Sequence, residues 1–176
     1  MRFVALLRGI NVGGHKRVPM AELRGLCAEL GWTNVASYIQ SGNLVFDATG
    51  KAAVLEGTLE AALAERFGFE ITTLVRSARA LRALPATNPF TEAASESPKF
   101  VMLLLAKAAL DKRAAAELAP LARAGEEVVQ VPGALWLHLP NGAARSKWSP
   151  TVLDRCAGSP ATTRNWNTLS KLIELL

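Results

Sequence analysis

Asn34-Val35-Ala36-Ser37-Tyr38-Ile39-Gln40-Ser41-Gly42-Asn43-Leu44-Val45-Phe46-Asp47 is the stretch on which the reading of the fold turns. Over 34–40 the side chains alternate, with Val35, Ser37 and Ile39 on one face and Ala36, Tyr38 and Gln40 on the other, the period of a strand. Ser41-Gly42-Asn43 is a tight turn, because Gly and Asn tolerate positive φ, and 44–47 returns as the partner strand of a hairpin. Upstream, Arg2–Arg8 is a short, mostly apolar run that reads as a buried strand. A Gly-rich loop follows, then Pro19 at a first helical position and a helix to about Leu30, stopped by Gly31. Downstream, Leu55, Leu59, Ala62, Leu63 and Phe67 share one face of a helix over 51–67, which leaves Glu56, Glu60 and Glu65 for solvent. Residues 71–76 form the next strand. The order strand, helix, strand, strand, helix, strand predicts a ferredoxin-like βαββαβ unit, four strands in one antiparallel sheet with two helices on one face.

The pattern then begins again. A short helix near 77–84 leads into 85–98, rich in Pro, Ser, Thr and Glu, which reads as a linker. Residues 100–105 are a strand and 110–119 a helix stopped by Pro120. Residues 128–131 and 135–139 flank Pro132-Gly133 as a second hairpin, and 150–156 is a short helix. Trp166, Leu169, Leu172, Ile173 and Leu176 keep helical spacing, so the chain ends in a helix. The expected organisation is α+β: a ferredoxin-like half over 1–84, a linker over 85–98, and a second βαββα half with a C-terminal helix over 99–176.

Composition bounds the function classes. In 176 residues, 50% are hydrophobic and 20% charged, which excludes a disordered or collagen-like chain. No run approaches the roughly 18 apolar residues of a membrane span, and MRFVALLRGINVGG reads as a first strand, not a signal peptide. Cys27 and Cys156 both fall on apolar helical faces, without a C-x-x-C, so a cytoplasmic location is expected. His15 and His138 leave no local cluster with zinc-ligand spacing, and no metal site is expected.

Twenty Lys and Arg against fifteen Asp and Glu give +5. Residues 51–139 hold ten of each sign. The excess therefore sits at the ends, in Arg2, Arg8, Lys16, Arg17 and Arg24, and in Arg145, Lys147, Arg155, Arg164 and Lys171. Such a surface favours anionic ligands, although a plain solvated surface has the same composition. Three loops add polar groups. In Arg8-Gly9-Ile10-Asn11-Val12-Gly13-Gly14-His15-Lys16-Arg17, backbone N–H groups between a strand and a helix are suited to an anion, though the glycines of a simple bend look alike. It is neither a Walker A loop nor G-x-G-x-x-G. In Tyr38–Asn43, turn chemistry accounts for the residues, and Ser41 lacks a recognisable base. In Thr162-Thr163-Arg164-Asn165-Trp166-Asn167-Thr168, a threonine can cap the last helix, which leaves Arg164, Asn165 and Asn167 beyond what capping needs.

Leu7 through Gly14, Tyr38 through Phe46, Asn88-Pro89-Phe90 and Thr163 through Thr168 resemble, in this order and across essentially the whole chain, the domain of unknown function 1697 (DUF1697) family. Ser146-Lys147 is similar to that pattern as well. The resemblance implies an α+β fold of ferredoxin-like character in a bacterial cytoplasmic protein. It brings no activity, substrate or cofactor. With the loop chemistry above, it makes Arg8, Asn11, Gly13, Gly14, Lys16, Tyr38, Ser41, Asn43, Lys147, Arg164, Asn165 and Asn167 the candidate ligand-binding positions.

The expected function is a binding module for a phosphate-bearing or other anionic small molecule. Nucleic acid is the less favoured partner, since the eleven aromatics form no interleaved aromatic-basic strand. The competing expectation is a small enzyme acting on a polar metabolite, for which the sequence supplies loop-borne Arg, Asn and Tyr but no acid/base pair. No cofactor, catalytic residue or oligomeric state follows from the residues.

Overall fold

The computed structural model describes residues 1–176, and β1 (Arg2–Leu7) is the strand around which its first sheet is built. β1 lies between β3 (Asn43–Asp47) and β4 (Thr73–Ser77), antiparallel to both, with Ala5 opposite Leu44 and Val75. β2 (Thr33–Tyr38) completes the order β2-β3-β1-β4. Phe3, Ala5, Leu7, Leu44, Phe46 and Val75 turn one face toward α1 (Met20–Glu29) and α2 (Ala52–Phe67). Those helices answer with Leu23, Leu26 and Cys27, and with Leu55, Leu59 and Leu63. Trp32 stacks on Phe46 at 4.1 Å between ring centroids and closes this core. Val4, Leu6, Val45 and Leu74 alternate onto the opposite face and are buried too. A strand buried on both faces reads as an unbroken apolar run, which is what 3–7 is.

A second sheet repeats the plan. β5 (Val101–Ala106) lies between β7 (Ala134–His138) and β8 (Ala161–Asn165), and β6 (Glu127–Val131) pairs with β7, in the order β6-β7-β5-β8. All pairings are antiparallel. Leu104, Ala106, Leu135 and Leu137 pack against Ala114 and Leu118 of α5 (Ala114–Leu118) and Leu153, Cys156 and Ala157 of α6 (Pro150–Ala157). Ser149 caps α6 ahead of Pro150, and Gly158 ends it with φ 79°. Trp148, buried beside them, donates its indole N–H to Leu118 O at 3.0 Å. The protein is thus α+β. By internal contacts the chain divides into Met1–Arg82 with Leu172–Leu176, and Ala83–Lys171.

Four differences from the sequence reading have physical causes. The second half has a sixth element: 161–165 is strand β8, paired with β5 from Met102↔Asn165 to Ala106↔Ala161, and the C-terminal helix α7 (Trp166–Leu175) begins only after it. The β-branched pair Thr162-Thr163 suits a strand, and pairing with a distant strand decides the matter. Residues 85–98, expected as a linker, carry helical turns at Pro85–Thr87 and Pro98–Phe100 and a short α-helix, Thr91–Glu96, here α4. α3 is Ala78–Ala83. Residues 110–113 are not helical, because Asp111 Oδ1 accepts the Arg113 N–H at 2.7 Å in a local turn, and Pro120 lies in a 3₁₀ turn continuing α5.

The fourth concerns Glu56 and Glu60, which are not solvated. Glu56 is buried, and its Oε2 accepts the Val75 N–H at 2.8 Å, while Glu60 Oε1 accepts the Thr73 N–H at 2.8 Å. Their spacing of four residues places both on one face of α2, and the carboxylates seal the outer edge of β4. No helix is long and apolar enough to cross a membrane.

Candidate functional site

The loop between β1 and α1 is closed by its own asparagine. Asn11 Oδ1 accepts the Val18 N–H at 2.9 Å, and Asn11 Nδ2 donates to Val18 O at 3.0 Å and to Gln40 O at 2.8 Å. The Asn11 backbone N–H reaches Lys16 O at 3.1 Å, and His15 N–H reaches Val12 O at 3.0 Å. Residues 11–18 are therefore a pinched loop with Gly13 and Gly14 exposed at its tip, at φ 58° and 79°. None of these closing bonds uses the N–H of Gly13 or Gly14. Both N–H groups belong to exposed residues and make no hydrogen bond within the loop. Beside them Asn11, Gly14, Arg17, Val18, Pro19 and Gln40 line an open hollow of about 390 Å³.

The bond from Asn11 to Gln40 O joins this loop to the β2–β3 turn. There Asn43, fully buried, donates from Nδ2 to Tyr38 O and to Ser41 Oγ, each at 3.0 Å. Ile39, β-branched and exposed, holds φ 51°, a backbone state that costs on the order of 1–3 kcal/mol and persists only where neighbours impose it. Gly42 accepts the Leu7 N–H on its carbonyl at 2.8 Å, and a Cβ built on it would stand 2.6 Å from Leu7 Cβ. The structure thus ties the loop of Asn11 to the turn between Tyr38 and Asn43 through Gln40, and of the candidates places Asn11 and Gly14 on the hollow. It also shows that Asn11, Ser41 and Asn43 use their side chains to hold the turn geometry. Lys16 places its ammonium on Glu70 O at 2.7 Å, 5.9 Å from the Phe69 ring centre. Arg8, half-buried, donates its backbone N–H to Thr72 O at 2.9 Å.

The remaining candidates belong to the second unit. Lys147 is exposed just ahead of α6. Arg164 lies in β8 opposite Leu103, not at a helix start as the sequence suggested. Its Nη1 donates to Thr162 Oγ1 at 2.7 Å and to Thr163 O at 2.9 Å, and burial pushes its guanidinium down to about 10. Asn165, and neither threonine, caps α7: its Oδ1 accepts the Thr168 N–H at 2.9 Å. Asn167 is exposed in the first turn of that helix.

The sequence reading missed Arg76, which occupies in β4 the place that Arg164 occupies in β8. Arg76 stands opposite Val4 of the central strand, as Arg164 stands opposite Leu103. It too donates Nη1 to the preceding carbonyl, Val75 O at 2.8 Å. Burial lowers its pKa, and Glu56, 3.8 Å away, opposes that. Only the matched registers reveal the correspondence, because the two strands share little sequence beyond the arginine.

A family model described as "Protein of unknown function (DUF1697)" matches residues 1–136, which include the Asn11–Val18 loop and the hairpin turn. The chain belongs to the DUF1697 family. Its solved structural neighbours include the conserved bacterial protein SP0830 from Streptococcus pneumoniae, 27% identical, with a TM-score of 0.78 over 99% of this chain and 97% of that one. No curated protein matches the chain. Of the segments that carry the DUF1697 resemblance, Asn88-Pro89-Phe90 forms a local turn. Asn88 Oδ1 accepts the Phe90 N–H at 2.9 Å, while its buried Nδ2 has no hydrogen-bond partner.

Proposed function

We propose that this DUF1697 protein binds a phosphate-bearing or other anionic small molecule on the Asn11–Val18 loop. The observation that carries the reading is the exposed Gly13-Gly14 backbone of a loop fixed by the three bonds of the Asn11 side chain, with Gly14 and Arg17 lining one hollow. An anion held there meets backbone N–H groups that need no reorganisation and a guanidinium suited to bidentate contact. Pro19, also in the lining, precedes the first turn of α1, whose N-terminal end adds a partial positive charge. Ser41 serves the turn through Asn43, which favours binding over attack by a serine nucleophile. A bacterial, cytoplasmic setting suits such a ligand and belongs to the same reading.

Titration calorimetry with inorganic phosphate and pyrophosphate at low ionic strength tests this. Binding is expected for the unaltered chain. Arg17→Ala, an exposed position, should weaken it at least about tenfold, the loss of a charge-assisted contact of roughly 1.5–3 kcal/mol, with unfolding unchanged. Absence of heat from either anion would refute the reading. Mixed oligonucleotides under the same conditions test the less favoured partner, whose binding should fall steeply with salt.

A further inference from the structure

The two sheets have four outer edges, and three carry side-chain hydrogen bonds or a register break along part of their length. The β4 edge is sealed by Glu56 and Glu60 on the Val75 and Thr73 N–H groups, and by Arg76 on Val75 O. The β8 edge carries Asp154 Oδ1 on the Ala161 N–H at 2.9 Å and Arg164 on Thr163 O. β2 is broken by a register shift between Thr33 and Ala36, with Asn34 at φ 49° and its carbonyl taken by Arg2 at 2.8 Å. The fourth edge, β6, has none of these devices. Its register with β7 runs unbroken from Glu127↔His138 to Val131↔Ala134 across the two-residue turn Pro132-Gly133. In such a hairpin the pair flanking the turn is hydrogen-bonded and pairs alternate from there. Val129 and Val131 therefore spend their backbone groups on β7, and Val128 and Gln130 aim theirs outward. No hydrogen bond seals the N–H or C=O of either. Beside that edge lies an open hollow of about 250 Å³, lined among others by Ala119, Ala122, Val128 and Val129.

We infer that β6 is the strand through which two copies of this chain pair, antiparallel about a two-fold axis at Val129. That arrangement sets Val128 opposite Gln130 of the second copy and Gln130 opposite its Val128, so all four outward groups on each side find partners. Glu127 then faces a valine, and no like charges stand directly opposite. An isologous contact of this kind closes on itself and leaves no further free edge at β6.

Sedimentation velocity over a concentration series, together with two variants of the full chain, tests the pairing. The unaltered chain should show a monomer–dimer equilibrium. Val128→Pro removes an outward N–H that the β7 ladder does not use, and should yield monomer with an unchanged circular dichroism spectrum. Val129→Cys should form an interchain disulfide under mild oxidation, because non-hydrogen-bonded partners stand about 4.5 Å apart at Cα, within disulfide range. It keeps the test open if the proline variant fails to fold. A chain that stays monomeric throughout overturns the inference, and so does a dimer that Val129→Cys fails to cross-link.

Discussion

At residue scale, side chains that look like ligand contacts in the sequence are largely committed to holding the backbone. Asn11 and Asn43 each make bonds that only an amide in that place can make, and a one-dimensional reading cannot distinguish such an asparagine from one that faces a ligand. Gly42 is the clearest case where the residue type was legible and its reason was not. Positive φ accounts for a glycine, but a methyl group at this position would also stand 2.6 Å from Leu7 Cβ and 2.8 Å from Ile10 Cδ1, so any other residue forces its neighbours to shift. Gly42→Ala should cost on the order of 2–4 kcal/mol, from left-handed strain and overpacking together, read as a shift in the urea midpoint. Cys27 was legible as a small buried hydrophobe, and burial pushes its thiol from 9.0 to about 12. The unfolded chain thus ionises this group first. The stability it contributes is complete below about pH 9.0 and is lost as pH rises toward about 12. Cys27→Ala should flatten the alkaline fall in the urea midpoint over that window; an unchanged slope would show that Cys27 does not drive it.

At element scale, periodicity found the order of strands and helices of the first sheet, but the hairpin turn lies at 39–42, with Ile39 outside β2 and Asn43 already in β3. What it could not see was the edge. Glu56 and Glu60 keep the spacing of a solvated face, and only the position of β4 at the sheet's border turns them into acceptors for its free N–H groups. Glu56→Ala should cost about 1–3 kcal/mol, the cost of a buried N–H left without an acceptor, whereas Glu56→Gln, which keeps an acceptor oxygen, should lose less. Equal losses in thermal unfolding would assign the effect to the Arg76 ion pair instead. β8 was missed for a related reason. Thr162-Thr163 before a helical pattern suits a cap as well as a strand, and the choice rests on pairing with β5, some sixty residues earlier in the chain.

At the scale of the whole molecule, the chain divides by its internal contacts at borders that no local signal in the sequence marks. Residues 172–176 count with the first unit, although they end a helix that begins in the second. Arg2 Nη2 donates to Leu175 O at 2.9 Å, and Leu172 is buried. Nothing local in the sequence marks such a return. Leu172→Ala should destabilise the chain by about 2–5 kcal/mol, as for other buried leucines, and a loss under about 1 kcal/mol would place the last turn outside the cooperative structure. The functional account rests on the glycine loop. Its most direct test is a titration of ¹⁵N-labelled protein with pyrophosphate at low ionic strength, following amide resonances. Saturable shifts centred on Gly13 and Gly14 are expected, saturating at a concentration at least about tenfold higher in Arg17→Ala; shifts that saturate elsewhere while Gly13 and Gly14 stay unmoved would contradict anion binding on this loop.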